Sequence, residues 1–239
     1  MTEKYRVSII KEMELLEEAF KFRQKLFRNL KIGLDIDEYD EKCHHFLLHE
    51  VTTGELVCVF RTLIMEGIGE IEKSYSAQFY DLSALTPLSG RMLEIGRFCV
   101  SENFKDPGIL ILAWESLARF MIRKKVRTVF GCSSFDGTEP KQHEAAFALL
   151  SKSYLSSLAI QPRSNINEVV DFSRSTLLRE YEEDLGTLKF PPLLRFYLRI
   201  GAKVSNTAVV DYDLKTIHVF TILTGIESVK YFRKLTLNN

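Results

Sequence analysis

The sequence predicts a single α/β domain over residues 1–239, in which helices pack on a β-sheet. The chain opens with a short β-like run, Tyr5 to Ile9, and continues at Lys11 to Asn29 with apolar residues near helical spacing. A strand, helix, strand, helix order then recurs between Arg91 and Tyr154, which is typical of a sheet covered by helices. With 239 residues and 46% hydrophobic content, the chain can bury a substantial core.

The other elements follow from the same periodicities. His45 to Val51 and Leu56 to Met65 are β-like and flank a turn, so we expect a β-hairpin. Ser74 to Leu85 predicts a short helix or turn. The later elements are expected to be a helix at Ile109 to Lys125, a strand at Arg127 to Ser134, a helix at about Pro140 to Tyr154, a helix at Leu193 to Ile200, and strands at Val204 to Tyr212 and Thr216 to Leu223.

A polar excursion is expected at about residues 157–190. Within it, Gln161 to Thr187 is mixed in charge and shows no clear strand period. We interpret this segment as having some helix, and a lid is one interpretation of its role. Its acids are Glu180, Glu182, Glu183 and Asp184.

The strand predicted at Arg91 to Val100 is unusual because it carries two opposite charges, Glu94 and Arg97. An ionised group inside a buried strand is costly unless it is paired or used. Gly96 lies between them and allows the strand to bulge, which would bring both charges to one side. The decapeptide alone leaves two interpretations open, a structural ion pair at a sheet edge and a functional pair.

Composition limits the partners and the compartment. Lys and Arg together number 32, as do Asp and Glu, so there is no global field to attract nucleic acid or an anionic membrane. The four cysteines form no Cys-x-x-Cys pair and are interpreted as reduced core residues. No apolar run is long enough to span a bilayer and the N-terminus has no signal-peptide core. We therefore expect a soluble cytoplasmic protein without a nucleic-acid partner, and contact with the inner-membrane surface stays open.

Two charged regions of the chain have a functional interpretation beside a structural one. The acids between Asp35 and Glu41 suit a solvated loop or a site for an amine. A zinc site at Cys43, His44, His45 and His49 is disfavoured because strand alternation separates His44 from His45. No metal is expected.

The loop at Ser101 to Gly108 precedes a predicted helix, whose free N-terminal amides can bind an anion. Gly108 would let a phosphate approach the backbone, and Lys105 would add a positive charge. A plain connection between strand and helix is the alternative. The chain lacks a nucleophile elbow, a Walker sequence, a His-Glu-x-x-His motif and a dinucleotide fingerprint, which removes the best support for hydrolase and nucleotide-enzyme functions.

The order of elements resembles the GNAT acyltransferase superfamily, with its mixed, mostly antiparallel twisted sheet flanked by helices. The chain carries the motifs Phe22-Arg23 with Phe27, Asp37 and Asp40 before Cys43-His44-His45, Arg61, and Leu93-Glu94-Ile95-Gly96-Arg97. These motifs are similar to those of the branch that acyl-homoserine-lactone synthases share with ornithine N-acyltransferases of lipid synthesis.

Two later stretches resemble the ornithine group, Val129 to Gly137 and Pro191 to Ala202 followed by Asp211. The lactone synthases usually carry a Trp just before the acid pair, where this chain has Gly33-Leu34. That difference favours the ornithine branch.

The resemblance implies transfer of a 3-hydroxyacyl chain from acyl carrier protein to the α-amino group of ornithine, giving lyso-ornithine lipid. It implies Glu94 as the catalytic base, since a carboxylate can accept the proton of an attacking amine. Arg61 and Arg97 would either hold the substrate carboxylate or lock the acidic loop. The substrate-binding set is Arg23, Phe27, Asp37, Asp40, Arg61, Arg97, Ser133 and Phe135.

The resemblance also implies how the donor binds. Backbone amides of Phe98, Cys99 and Val100 would polarise the thioester and pair with pantetheine, and Lys105 and Gly108 would meet its phosphate. The sparse Lys105 to Gly108 loop fits the single phosphodiester of a carrier-bound arm better than coenzyme A. No cofactor is expected apart from the phosphopantetheine that the donor carries. An acidic carrier protein would also suit the basic stretches Lys21 to Arg28 and Arg119 to Arg127.

Alternatives remain at this point. One is a lactone-signal synthase with S-adenosylmethionine as the amine donor, and another is a non-catalytic GNAT-like module that binds acyl carrier protein. Glutamine, lysine or glycine as acceptor, and coenzyme A as donor carrier, also stay open, and acyl length and oligomeric state are not encoded in any motif.

Overall fold

The computed structural model describes residues 4–28, 30, 32–166, 169–172 and 189–224. Within these ranges the chain divides into two compact units. The first holds the residues up to Ile64 together with Leu93–Val126, and the second holds Met65–Met92 and the residues from Arg127 onward. The single domain expected over residues 1–239 stays a prediction.

The described helices and strands are named here in chain order. The strands are β1 (Tyr5–Ile10), β2 (His44–Glu50), β3 (Leu56–Met65), β4 (Tyr80–Asp81), β5 (Arg91–Val100), β6 (Val126–Asp136), β7 (Arg163–Ser164), β8 (Val169–Asp171), β9 (Lys203–Asp211) and β10 (Thr216–Thr224). The α-helices are α1 (Glu17–Phe27), α2 (Pro107–Lys124), α3 (Glu144–Ser153) and α4 (Pro192–Arg199).

The first unit contains strands in the order β1, β2, β3, β5. β1 pairs antiparallel with β2, and β2 pairs antiparallel with β3, so that His45 lies opposite Arg61 and Phe46 opposite Phe60. Successive side chains of β2 point to opposite faces of this sheet. His44 packs against Phe120 of α2, whereas the ring of His45 meets Phe20 of α1. The two helices therefore cover opposite faces, which separates His44 from His45 as the sequence predicts.

Each face of the first unit has its own core. On the α1 face, buried apolar side chains of the helix pack on β2 and β3. They are Leu16, Ala19, Phe20, Leu47, Leu56 and Val59. On the α2 face, Phe98 stacks between Phe60 and Trp114, with ring centroids 4.9 and 5.4 Å apart. Arg61 and the charged residues described below belong to the α1 face.

In the second unit the strand order is β6, β10, β9, β8, and all three pairings are antiparallel. β4 and β7 form a separate two-stranded sheet. α3 and α4 contribute Phe147, Leu150 and Leu194 to one buried cluster of this unit. A second cluster is built around Tyr80 and Phe220.

The structure confirms the predicted mostly antiparallel sheet flanked by helices, and it corrects some boundaries. The first helix begins at Glu17 and not at Lys11, because a short 3₁₀ turn precedes it and Leu16 leaves the helical conformation (φ −104°, ψ 3°). The predicted excursion contains β7 and β8, two- and three-residue strands too short to show an alternating pattern. Residues 173–188, with the acids expected there, lie outside the described residues. None of the described helices is both long and apolar enough to cross a membrane.

Candidate active site

Asp35 is the centre of a buried group of charges in the first unit. Only 1% of its surface is exposed, and its carboxylate accepts hydrogen bonds from Arg23 (2.9 Å), Arg28 (3.1 Å) and Arg97 (2.9 Å). Burial by itself raises the pKa of Asp35, but the charges of Arg97 and Arg23 outweigh it and lower the pKa overall. Asp35 therefore stays ionised and ties α1 to β5.

Asp40 is the second buried carboxylate, with no exposed surface. Arg23 donates to both of its oxygens, at 2.6 and 3.1 Å, and Arg61 donates at 2.6 Å. The amide of Asp37 adds a fourth hydrogen bond of 2.9 Å. Burial opposes ionisation, but the hydrogen bond from Arg23 and the charges of both arginines hold the pKa of Asp40 at about 2.

Asp37 binds both Arg61 and Arg97. Arg61 reaches its carboxylate with two hydrogen bonds of 2.5 and 2.8 Å, and Arg97 adds one of 3.0 Å. The side chain of Asp37 is 21% exposed, in contrast to Asp35 and Asp40. We call the set Arg23, Asp35, Asp37, Asp40, Arg61 and Arg97 the arginine–aspartate network.

The network balances the charges of three arginines with those of three aspartates, and each arginine binds two of the aspartates. Burial lowers the pKa of Arg61, but its hydrogen bond to Asp37 and the charge of Asp40 raise it further than burial lowers it. Paired charges of this kind are tolerated in a core, whereas removing one partner is strongly destabilising. Arg61 and Arg97 thus lock the acidic loop, which is one of the two arrangements that the resemblance implied.

The backbone of β5 is irregular where the sequence predicts a bulge. Arg97 has φ +52°, in the left-handed region that side chains other than glycine rarely adopt. In a regular strand, residues 94 and 97 would point to opposite faces. The left-handed residue breaks that alternation. Gly96 lies against the Arg61 side chain, and a Cβ there would be 3.6 Å from Nε of Arg61.

Glu94 is buried in β5, with 5% of its surface exposed. Its negative charge adds to the effect of burial in raising the pKa of Tyr39 and of the Cys43 thiol, the latter to about 12. Tyr39 in turn lies under the guanidinium of Arg61, 5.8 Å from the ring centre. These neighbours indicate that the Glu94 carboxylate is on the α1 face, beside the network.

Aromatic and sulfur side chains line the same strand. The guanidinium carbon of Arg97 lies 5.7 Å from the ring centre of Phe27, which brings Phe27 to the network. The buried thiol of Cys99 donates to the carbonyl of Arg97 at 3.4 Å, and burial raises its pKa. A pantetheine-binding role for the amides of Phe98, Cys99 and Val100 stays a prediction.

The start of α2 is capped by the chain itself. The carboxylate of Asp106 accepts hydrogen bonds from the amide of Gly108 (2.8 Å), from Lys4 (2.5 Å) and from Tyr5 (2.9 Å). Of these, the hydrogen bond from Lys4 contributes most to the lowering of the Asp106 pKa to about 2. A Cβ at Gly108 would come within 3.0 Å of Asp106 Oδ1, so glycine makes room for the cap. Lys105 is exposed, and its predicted contact with phosphate stays untested.

Ser133 and Phe135, predicted to bind substrate, belong to β6 of the second unit. The hydroxyl of Ser133 is buried and accepts a hydrogen bond from Thr221 at 2.8 Å. Phe135 is 1% exposed and packs on His143 and Phe147. Their side chains contribute to the interior of this unit, and their substrate-binding role stays a prediction.

A second buried polar group lies in the second unit around His218. Its Nδ1 is 3.3 Å from the hydroxyl of Tyr80, which donates to the backbone carbonyl of His218 at 3.0 Å. Among the described residues, Nε2 of His218 has no hydrogen-bond partner. Burial lowers the pKa of His218 to about 4, so the imidazole is neutral near pH 7.

Sequence reasoning missed two residues of the first site. One is Asp35, which the sequence does not distinguish from the other acids of its loop and which the structure shows to be buried. His45 is fully buried and donates from Nε2 to the carbonyl of Asp40 at 2.9 Å. The described residues hold no group of three or more His, Cys, Asp or Glu arranged to bind a metal ion.

A family model, the acetyltransferase (GNAT) domain, matches residues 18–115. The match extends from α1 into α2 and thus contains the whole arginine–aspartate network together with Glu94. The part of the chain that carries the buried charges is therefore the part that the GNAT domain model recognises.

Curated relatives match a larger share of the chain. The L-ornithine N(alpha)-acyltransferase of Rhodobacter capsulatus is 28% identical over 196 residues, covering 80% of this chain and 74% of that protein. The protein of the same name from Brucella abortus is 26% identical over 207 residues, covering 79% and 69%. Among solved structures, the lactone synthase LasI aligns at 14% identity and a TM-score of 0.48, covering 91% of this chain and 88% of that chain.

The family model and the relatives agree with the motifs in the sequence. The network and Glu94 lie where the GNAT model matches, and the curated relatives cover about 80% of the chain at 26 to 28% identity. The chain is therefore an acyltransferase that matches the GNAT domain model over residues 18–115 and is similar to the L-ornithine N(alpha)-acyltransferases.

Proposed function

We propose that the chain transfers a 3-hydroxyacyl group from acyl carrier protein to the α-amino group of L-ornithine, forming lyso-ornithine lipid. The observation that carries the reaction type is Glu94, a carboxylate buried in β5 within the GNAT match. The acceptor is proposed from the relatives, which are named for acylation of L-ornithine at the α position.

The chemistry needs a base, because an ammonium group has no lone pair with which to attack a thioester. In the proposal Glu94 accepts a proton from the α-ammonium of ornithine, directly or through water. The free amine then attacks the thioester carbonyl, a C–N bond forms and the C–S bond breaks. The products are an amide and the carrier thiol, and the thiolate takes up a proton as it leaves.

In the proposal, one member of the network binds substrate and the others hold it in position. Asp40 has no exposed surface and accepts four hydrogen bonds from the chain, so it serves to hold Arg23 and Arg61. Asp37 keeps an exposed edge, and we assign it the distal ammonium of ornithine. Arg61 and Arg97 keep the acidic loop, and hence Asp37, in place.

The acyl donor is proposed to bring its own phosphopantetheine, with no further cofactor. Since the Gly108 amide already donates to Asp106, Lys105 is the exposed cation that would meet the phosphodiester. The amides of Phe98 to Val100 would polarise the thioester carbonyl.

Product analysis tests the proposal. Purified protein is incubated with 3-hydroxyacyl carrier protein and L-ornithine, and in parallel with S-adenosylmethionine, glutamine, lysine or glycine as the acceptor. A further arm replaces the carrier by acyl-coenzyme A. Mass spectrometry should find Nα-acyl-ornithine, formed fastest from the carrier-bound donor.

Three outcomes would contradict the proposal. Acyl-homoserine lactone from S-adenosylmethionine would identify a signal synthase, and faster acylation of another amino acid would identify a different acceptor. Binding of the acyl carrier protein without any transfer would indicate a non-catalytic module.

A further inference from the structure

An exposed apolar surface lies next to the arginine–aspartate network. Residues 30 and 32–36, which we call the apolar loop, lie between α1 and the acidic segment in the sequence. Four of its side chains are large, apolar and exposed: Leu30 (53%), Ile32 (89%), Leu34 (42%) and Ile36 (47%). Isolated exposed leucines are common on proteins, but four within seven residues mark an interaction surface.

The apolar loop is fastened to the protein by its polar atoms. The Asp35 carboxylate is held by three arginines, and its amide donates to the carbonyl of Phe20 at 3.3 Å. Gln24 of α1 donates to the carbonyl of Ile32 at 3.2 Å. Because neighbours in an extended chain point to opposite sides, the buried Asp35 directs Leu34 and Ile36 toward solvent. The loop thus presents apolar side chains from an anchored backbone.

Positive charge accompanies this surface. From Lys21 to Leu34 the sequence contains five Lys or Arg and no Asp or Glu. Arg23 is bound within the network and Lys21 pairs with Glu17 at 2.5 Å, whereas Lys25 is exposed on α1. Basic side chains beside Leu and Ile are the combination by which a protein surface binds the interface of an anionic bilayer.

We propose that the apolar loop docks the protein on an anionic lipid bilayer, with Ile32 and its apolar neighbours entering the acyl boundary and Lys25 facing the headgroups. A second copy of the chain is a less suitable partner. The apolar loop is short, and the surface area it can bury is far below the roughly 800 Å² per partner of a stable interface. The inference does not require the proposed function. If the proposed function is correct, the lipid product would form at the surface of the bilayer into which it inserts.

Flotation with vesicles tests the inference without any substrate. Wild-type protein should float with vesicles of phosphatidylglycerol and phosphatidylcholine in a 1:3 ratio, and less with phosphatidylcholine alone. Ile32→Ser should raise the lipid concentration for half-binding about tenfold, the effect expected for losing one buried aliphatic side chain. Leu158→Ser is the matched control, since Leu158 is 95% exposed in the second unit. It should bind as the wild type does.

The charge contribution is tested with Lys25→Gln and with added salt. Both should weaken binding to phosphatidylglycerol vesicles and leave binding to phosphatidylcholine unchanged. Ile32→Ser should retain acyl transfer with soluble substrates, so loss of docking and failure of the proposed function give different results.

Several results would overturn the inference. One is wild-type protein that stays unbound at every lipid concentration, and another is equal flotation of wild type and Ile32→Ser. If Ile32→Ser raises KM for acyl carrier protein while flotation is unchanged, the loop is a carrier-docking surface. A concentration-dependent dimer that Ile32→Ser abolishes, without vesicle binding, would assign the loop to a second copy of the chain.

Discussion

The two units differ in how their buried polar side chains are stabilised. In the first unit, Arg23, Arg61, Asp35 and Asp40 are buried together, and their opposite charges stabilise each other. In the second unit, His218 is equally buried beside the neutral hydroxyl of Tyr80. Asp40 therefore remains ionised near pH 7, with its pKa at about 2, whereas His218 is neutral, with its pKa at about 4.

The comparison shows what decides the charge state of a buried side chain in this protein. Burial disfavours the charged form in both groups. At Asp40 the arginines reverse that effect, whereas at His218 burial alone lowers the pKa. Substitutions of Asp40, His218 and Arg97 test these effects one residue at a time.

The largest effect is expected for Asp40→Asn, which leaves Arg23 and Arg61 buried with less negative charge. The free energy of unfolding should fall by about 3–5 kcal/mol, as for other buried pairs that lose one partner. Urea denaturation measures the change. Glu41→Gln is the control, because Glu41 is the exposed neighbour of Asp40, and it should change the unfolding free energy by less than about 0.5 kcal/mol.

The second prediction concerns pH. The folded pKa of His218 is about 4, below its usual 6.5, so between these values the unfolded chain binds a proton that the folded chain does not. Stability should fall by about 3 kcal/mol as the pH drops from 6.5 to 4. His218→Leu should flatten this slope, and an unchanged slope would contradict the pKa assignment.

Asp40 should respond in a lower window. Its folded pKa of about 2 lies below the usual 3.8, so its contribution is present above about pH 4 and is lost as the pH falls toward 2. The contribution amounts to about 2 kcal/mol. Unfolding free energies of wild type and Asp40→Asn, measured from pH 5 to pH 2, should therefore converge at the acid end. Parallel curves would show that the network does not keep Asp40 ionised.

The smallest effect tests the irregular strand. Arg97→Ala and Arg97→Gly both remove the guanidinium, but only glycine adopts φ +52° without strain. Arg97→Gly should be more stable than Arg97→Ala by about 1 kcal/mol in urea denaturation. Equal stability of the two variants would mean that the left-handed backbone at this position stores no strain.

Much of the first unit could be predicted from the sequence because its periodicities are long. The hairpin of β2 and β3, the helix α2 and an irregular backbone beside Gly96 all follow from local patterns of five or more residues. β7 and β8 could not be predicted, since strands of two and three residues carry no measurable alternation. Their pairing is determined by tertiary contacts.

The candidate active site, like the fold, could be predicted from the sequence only in part. The sequence identifies Arg23, Asp37, Arg61 and Arg97 as charges in converging elements, but it does not indicate which acid each arginine binds. Asp35 was missed because a carboxylate in an acidic loop is usually solvated, and its burial depends on arginines from α1 and β5. The Tyr80 and His218 contact joins residues 138 positions apart and has no local signal.

We propose that the network supports the fold while Glu94 acts as the catalytic base. The most direct test compares the acyl-transfer rates of Glu94→Gln and of the control Glu115→Gln. Glu115 is a buried glutamate of α2. We predict that Glu94→Gln lowers kcat by about 10²- to 10⁴-fold with native circular dichroism, whereas Glu115→Gln retains activity. A folded Glu94→Gln protein that transfers acyl groups at the wild-type rate would show that Glu94 is not the catalytic base.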